Sequence, residues 1–376
     1  MTSQTGHDTI VIGAGIVGAA CAASLAQRGR RVLVLEAGFA GGGTTAAGMG
    51  HLVAMDDSPE QLGLTAYSLR LWDQLTPRLS ASVEYERCGT IWVAEDAEQM
   101  AMVRAKQKTL ADAGIASEVL DARQLADAEP CLRPGLPGGL LVLNDGVLYP
   151  PAAALQLLEQ ARSNGAVVRE HCAVTAIEPH LVRTAKGDQS ADIIVNAAGP
   201  HAAELTPDLL VIPRKGHLII TDRHPGFCRH QLVELGYLKS AHVMTTESVA
   251  FNLQPRATGQ VLIGSSRELV GWTPGINQYL ARRMLERAIE FAPALGRMSA
   301  LRIWTGYRPA TPDKLPLIGP WDVEAGIWVA TGHEGLGITT ALATGEILAD
   351  LVAGTTPKID PAPFHPRRAM AEVAHA

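Results

Sequence analysis

The sequence predicts an α/β fold into which a second, α+β unit is inserted. Three observations predict it. A strand, a glycine turn, a helix and a second strand open the chain within residues 8–35. The same texture returns near residues 150–168, 191–199 and 327–352, far apart in the chain. Between these returns, residues 83–144 and 210–304 read as short strands with isolated helices. A chain of 376 residues is long enough for two units, each with a core of its own.

Residues 8–12 (DTIVI) form the short β-branched apolar run of a buried parallel strand. Gly13 to Gly18 make a glycine turn. Residues 16–28 are rich in alanine and leucine and run into Gly29, a helix with a glycine stop. Residues 31–35 (RVLVL) make the second strand, which ends at Glu36 and completes a βαβ unit. The small-residue loop Gly41–Gly50 is too apolar for a surface linker. Residues 60–79 read as a helix with Leu64, Leu71 and Leu75 on its apolar positions. Strands at 90–93 and 140–143 surround a charged helix near 97–113.

Pro150 and Pro151 then open a helix that Gly165 stops, and a strand starts at Ala166. Residues 191–195 (ADIIV) form a strand that enters Asn196-Ala197-Ala198-Gly199-Pro200. Strands follow at 217–221, 249–253 and 260–264. A helix over 275–291, with Leu280, Met284 and Ala288 as its buried stripe, ends at Pro293. Ile327–Thr331 is the last strand. It runs through the turn Gly332 to Gly337 into a helix that Gly354 stops. The final ~20 residues are polar and proline-rich and read as a surface tail. The domains are therefore a discontinuous nucleotide-binding unit (1–82, 145–209 and 305–376) and a substrate-binding unit (83–144 and 210–304).

Composition excludes several classes of function. Charged residues are 19% and hydrophobic ones 47%, which excludes wholesale disorder. The net charge of −6 is spread along the chain and argues against nucleic acid, which needs a clustered basic face. Cys21, Cys88, Cys131, Cys172 and Cys228 are odd in number and scattered. They exclude a four-cysteine iron–sulfur or zinc site within the chain and point to a reducing, cytoplasmic setting. Residues 9–26 are uncharged and as long as a membrane span. Three glycines at fixed spacing and the absence of a basic lead make them a glycine turn rather than a signal or transmembrane segment.

Gly13-Ala14-Gly15-Ile16-Val17-Gly18 matches G-x-G-x-x-G. Such glycines permit the tight turn, admit a diphosphate against bare backbone, and let helix and strand pack closely. Glu36 follows 23 residues after Gly13, at the end of the second strand. A carboxylate there accepts hydrogen bonds from ribose hydroxyls and repels a 2′-phosphate, so the ligand is FAD or NAD rather than NADP. The chain returns to the same domain near its end. A flavin spanning two domains needs that return, with the N–H groups around Gly335 to Ile338 facing its pyrimidine ring.

At this point a resemblance covers nearly the whole chain. The motifs are the N-terminal fingerprint with Glu36, Thr44-Thr45-Ala46-Ala47-Gly48-Met49, Asp145-Gly146-x-x-x-Pro150 and Val195-Asn196-Ala197-Ala198-Gly199. Pro213-x-Lys215-Gly216-His217, Gly306-Tyr307-Arg308-Pro309-x-Thr311-Pro312-Asp313 and Gly332-His333 with Gly337-Ile338 complete them. The chain resembles the glycine oxidase / sarcosine oxidase / D-amino-acid dehydrogenase family of FAD enzymes. The C-terminal turn resembles the flavin subunits that act on D-hydroxyproline and related secondary amines. The resemblance implies a Rossmann-like FAD-binding domain of the glutathione-reductase type and FAD held without a covalent bond.

It also implies site residues. FAD is held by the fingerprint residues Gly13 to Gly18, by Glu36 and Ala37, and by Thr44, Thr45, Ala46, Ala47, Gly48 and Met49. Val174, Ala197, Ala198, Gly199, Gly306 and the turn His333, Glu334, Gly335, Leu336, Gly337 and Ile338 join them. Val174 is equally well read as plain core, Met49 as a core gap-filler, and Thr44 and Thr45 as turn residues. Arg308 is the expected clamp on the substrate carboxylate. Its other reading is an ion pair with a nearby carboxylate such as Asp313. His333 stands either beside the flavin or as a satisfied structural histidine; His51, which follows the small-residue loop, could line the pocket but is better read as a surface residue. Tyr307 and Tyr237 are second carboxylate contacts. Glu334 and Gly335 stand where many family members carry an aromatic residue and an arginine, a departure from glycine-oxidase-like specificity.

The implied chemistry is oxidation of a small amino acid or secondary amine to the imine by hydride transfer to flavin N5, which requires positioning rather than a strong acid or base. A dehydrogenase passing electrons to a quinone or a partner subunit, within a hetero-oligomer, is favoured over an oxygen-using oxidase. An electron-relay FAD subunit is the other class, in a protein that is cytoplasmic or peripheral to the inner face of a membrane.

Overall fold

The computed structural model describes residues 6–236 and 247–368. The chain opens with β1 (Thr9–Ile12), α1 (Ile16–Gln27) and β2 (Val32–Leu35), followed by α2 (Gly43–Ala47), β3 (His51–Leu52) and α3 (Pro59–Leu75). It crosses to the second unit for β4 (Thr90–Ala94), α4 (Ala97–Asp112), β5 (Ser117–Asp121), α5 (Ala122–Ala128) and β6 (Gly138–Val142). It returns through β7 (Gly146–Val147), α6 (Pro150–Ser163) and β8 (Val167–Arg169). The short strands β9 (Val174–Glu178), β10 (Leu181–Thr184) and β11 (Gln189–Ser190) come next, then β12 (Ile193–Asn196) and α7 (Ala202–Leu205). The second unit is completed by β13 (Ile212–Thr221), β14 (Gln231–Glu234), β15 (Glu247–Pro255), β16 (Val261–Glu268), α8 (Gln278–Phe291) and β17 (Ala300–Ala310). β18 (Leu317–Asp322), β19 (Ile327–Thr331) and α9 (Gly337–Val352) close the first.

The first sheet has the order β18-β19-β12-β1-β2-β8, parallel except for the β18–β19 pair. β1 and β2 are buried along their whole length, as continuous apolar strands covered on both faces should be. The second sheet has the order β17-β13-β16-β15-β14-β4-β6-β5. It draws strands from both inserted stretches, and α8 packs Met284, Ala288 and Phe291 into its core. The chain thus forms the mixed α/β architecture that its patterning predicts, with a Rossmann-like first domain.

Helices α1 and α9 lie side by side and parallel. A Cβ on Gly345 would fall 2.6 Å from Ala20 O, so only a glycine lets α9 approach α1 this closely. Near the N-terminal ends, a Cβ on Gly337 would lie 3.7 Å from Val17. At the other end Ser24 Oγ donates to Glu346 at 2.9 Å. Arg28 reaches Glu346 at 2.9 Å and Asp350 at 2.7 Å. The first and last helices of the domain therefore start at the same place.

Three sequence expectations are adjusted. The helix predicted over 60–79 stops at Leu75 and tightens into a 3₁₀ turn over Thr76–Arg78, where Pro77 supplies no backbone N–H. The strand β17 was not foreseen, and the boundary drawn at residue 305 falls inside it. The C-terminal tail is not merely surface chain as far as residue 368: Phe364 is buried and Arg368 pairs with Asp313 at 2.8 Å. Among the described residues no helix is long and apolar enough to cross a membrane.

The Gly345→Ala variant is expected to lose about 1–3 kcal/mol of stability, because the added methyl meets the rigid backbone of α1. Denaturant unfolding measures it, and an unchanged midpoint would show that the two helices can separate at little cost.

Candidate active site

The parallel sheet reverses its strand order between β1 and β12, the point at which open sheets of this kind bind ligands. A cavity of about 680 Å³ lies there and is walled by both units. It takes in Glu36 at the end of β2 and Arg308 on β17. Every candidate contact named above lines it except Ala14, Ala46 and Tyr237. Ala14 is fully buried, Ala46 is exposed, and Tyr237 lies outside the described residues.

The three fingerprint glycines do different work. Gly13 has φ +97, and a Cβ on it would lie 2.6 Å from Ala197 O. A Cβ on Gly18 would collide with Gly13 O, so this glycine lets α1 lie on the strand turn. Gly15 faces only Thr45 Oγ1, which accepts the Ile16 N–H at 3.0 Å. Beyond this bond from Thr45, the N-cap Gly15 gives α1 no side-chain cap and its first turn has no acid; the N-cap Leu336 gives α9 none either, and its first turn also lacks an acid. Two positively polarised helix ends, neither with an acid in its first turn, thus open on one cavity, an arrangement that suits an elongated ligand with two electron-rich parts.

Glu36 accepts the Ala14 N–H through one oxygen and the Gly38 N–H through the other, each at 2.7 Å. A carboxylate has about four lone-pair directions, so these bonds fix its orientation and leave acceptor capacity for ribose hydroxyls. Val174 is half-buried, packs against the core beside Ile10 and Leu33, and also lines the cavity. These features fit FAD. No cysteine is among the lining residues.

The loop Thr44–Met49 is clamped between the two units. Thr44 Oγ1 donates to Tyr307 O at 2.7 Å, and Trp304 Nε1 donates to Ala47 O at 3.2 Å. A Cβ on Gly306 would collide with Ala47, so a glycine is needed where β17 crosses α2. Gln254 Nε2 holds Met49 O at 2.8 Å, and the Met49 sulfur lies 3.2 Å from where a Cβ on Gly264 would be.

Arg308 is half-buried. Its guanidinium lies against Gly216, whose Cβ would collide with it, and its Nη1 donates to Ser266 O at 3.0 Å. Asp313, the carboxylate considered as its partner, instead pairs with Arg368. The Tyr307 hydroxyl donates to Thr273 O at 2.7 Å. Trp272 stands beside the Tyr307 ring at 4.9 Å and stacks on His201 at 4.2 Å. His333 is buried with Nε2 at 2.9 Å from Thr344 Oγ1; His51 is not the surface residue expected but half-buried in the cavity wall, its Nε2 2.9 Å from Thr90 Oγ1, because β3 brings it inside. Burial lowers both imidazoles to about 3, so neither carries charge near neutral pH.

Sequence reasoning missed Arg214, Arg267, Lys314 and Asp57, all of which line the cavity. The signal for the first was strand alternation. On β13, Arg214 and Gly216 face the cavity, while Lys215 and His217 lie 4.0 and 3.6 Å from Glu268. Arg214 stood between two residues that had been singled out. Lys314 and Asp57 sit on loops, where no period marks an inward side chain.

The family model described as FAD dependent oxidoreductase matches residues 8–351, and the chain belongs to that family. It is an FAD-dependent oxidoreductase. It is 29% identical to a glycine oxidase of Pseudomonas putida over 95% of this chain and 97% of that one. It is 27% identical to the hydrogen cyanide synthase subunit HcnC of Pseudomonas aeruginosa, over 98% and 97% of the two chains. The crystal structure of glycine oxidase from Geobacillus kaustophilus superposes with a TM-score of 0.86 at 26% identity, over 96% and 98%.

Two outcomes follow from this geometry. Glu36→Ala removes the acceptor for both amides and for ribose, and is expected to weaken FAD retention about tenfold, read as the flavin-to-protein absorbance ratio after dialysis. Burial pushes Asp145 up to about 7, against bonds from Thr90 and Ala54 and the charge of Lys106. A folded value above the unfolded 3.8 means that stability present below pH 4 is lost as pH rises toward 7. Asp145→Asn is therefore expected to match the wild type below pH 4 and to exceed it by roughly 2–4 kcal/mol above pH 7. Unfolding curves across that range decide the matter, and parallel curves would place the proton elsewhere.

Proposed function

We propose that this protein oxidises a small amino acid or secondary amine at its carbon–nitrogen bond to the imine, with FAD as electron acceptor. D-Proline- and D-hydroxyproline-like imino acids, glycine and sarcosine are the substrate class. Arg308 carries the reading. A planar guanidinium braced against Gly216 and held by Ser266 O presents a fork that matches a carboxylate, and it does so inside the cavity that holds the cofactor residues. The glycine oxidase relatives, named for an amino-acid substrate, support the same donor class.

FAD, when bound, supplies the two-electron acceptor. The chain supplies position and field. Arg308 fixes the carboxylate and with it the α-carbon. Met49, Tyr307 and Trp272 wall the volume around it and keep the substrate small. The start of α9, without a side-chain cap, offers backbone N–H groups that would stabilise negative charge on a bound flavin. His51 and His333, held neutral by burial, add no charge to that of the arginines and Lys314.

A dehydrogenase that passes electrons to a quinone or partner subunit is the preferred form. The relative HcnC is named as a subunit, which supports a hetero-oligomer. The relatives named glycine oxidase favour the second reading, direct use of oxygen.

Arg308→Ala is expected to raise KM by roughly 100-fold or more with FAD content unchanged. Unaltered substrate affinity would put the carboxylate elsewhere. Mixing the holoprotein anaerobically with D- and L-proline, 4-hydroxyprolines, glycine and sarcosine should bleach the flavin with at least one of them. Re-oxidation by a quinone but slowly by air supports the dehydrogenase, and rapid re-oxidation by air supports the oxidase. A flavin that none of these amines bleaches ends the proposal.

A further inference from the structure

The turn that opens α9 carries an ion cluster that the proposed reaction does not use. Glu334 has φ +47, a conformation uncommon outside glycine. Its N–H donates to Pro309 O at 2.8 Å, next to Arg308, and the Gly335 N–H donates to one of its carboxylate oxygens at 2.5 Å. The other oxygen faces Arg267 Nε at 3.3 Å and Arg214 Nη1 at 3.5 Å. These two arginines are 4% and 2% exposed. They come from the paired strands β16 and β13, and Arg308 comes from β17, the other neighbour of β13. Arg308 Nε lies 3.8 Å from where a Cβ on Gly335 would be.

Three arginines from three adjacent strands thus converge on one turn, and all three line the cavity. A row of guanidinium groups suits a ligand with two carboxylates: one fork takes the first and its neighbours take the second. Here the chain provides a carboxylate of its own beside Arg214 and Arg267. Burial alone would favour the neutral acid, but the charges of Arg267, Arg308 and Arg214 outweigh it and hold Glu334 at about 2. A substrate's second carboxylate would meet an anion at close range, or would have to displace it from its two arginines.

We infer that Glu334 is a specificity-determining residue: its carboxylate holds the place of a substrate's second carboxylate and restricts the site to amino acids that carry one. This rests on the reading of Arg308 as the carboxylate clamp. It deepens that reading by defining the substrate class as monocarboxylic, with no anionic side chain.

The test uses the FAD-loaded enzyme and two acids that lack an amine and cannot be oxidised, propanoate and malonate. Each is titrated by perturbation of the flavin absorption bands. In the wild type, malonate should bind at least about tenfold more weakly than propanoate. Glu334→Gln removes the charge at constant shape and should tighten malonate about tenfold or more while changing propanoate less than about threefold. Glu334→Asp keeps the charge and should keep the wild-type ratio. A merely structural glutamate would shift both acids together in Glu334→Gln, and that result overturns the inference. If Glu334→Gln does not retain flavin, the wild type still decides: malonate bound as tightly as propanoate overturns it. A wild type whose flavin responds to neither acid removes the Arg308 reading and this inference with it. One that binds propanoate without discriminating against malonate removes this inference alone.

Discussion

The close parallel packing of α1 on α9 is the constraint on which the rest depends. It brings the start of the chain and its last helix to one end of the same sheet. Gly345 permits the approach, and the Arg28–Glu346–Asp350 cluster ties the far ends together. Each helix contributes a positively polarised N-terminus with no acid in its first turn. Were the helices a few ångströms further apart, the two ends would no longer open on a common cavity. The fingerprint glycines act in the same direction, since Gly18 brings α1 onto the turn after β1 and Gly13 brings that turn against Ala197.

The second sheet is held to this frame by contacts that leave no room for side chains. Gly306 passes over Ala47, and Gly216 gives Arg308 a flat bed. Thr44, Trp304 and Gln254 add polar ties to backbone carbonyls across the boundary. The result is a wall of small residues next to a row of buried arginines. Burying such charges is costly unless they are paired, and Glu334 reaches them from the first unit. The ion cluster therefore joins the two units at the turn that opens α9. The helix pair joins the two ends of the chain at the same end of the sheet.

Much of this was legible in the residues. Glycines that need close approach leave a local trace, so the turn at Gly13–Gly18, the loop before Met49 and the turn before α9 could all be read directly. Glu36 was legible because a carboxylate at the end of a second strand has one common use in this arrangement. Arg308 was legible through its motif. Arg214 had only the alternation of its strand to mark it, and Arg267 had no such neighbour, because a charged residue inside a β-strand does not by itself tell a cavity wall from solvent. The tail was misjudged for a similar reason: polar and proline-rich composition hides Phe364, which is buried only because the first unit offers it a site. The side chain of Glu334 could not be placed from sequence at all, since its partners lie 67 and 120 residues away.

By itself the sequence determined the mixed α/β fold, its parallel strands and the dinucleotide turn, because strand burial, helix stops and glycine turns are set by neighbours a few residues apart. Only the tertiary structure decided which charges meet. The pairing of Glu334 with Arg214 and Arg267, the diversion of Asp313 to Arg368 and the bracing of Arg308 on Gly216 arise where segments far apart in the chain come together. Coulomb forces and steric contact depend on distance in space, and that distance is not written in the order of the residues.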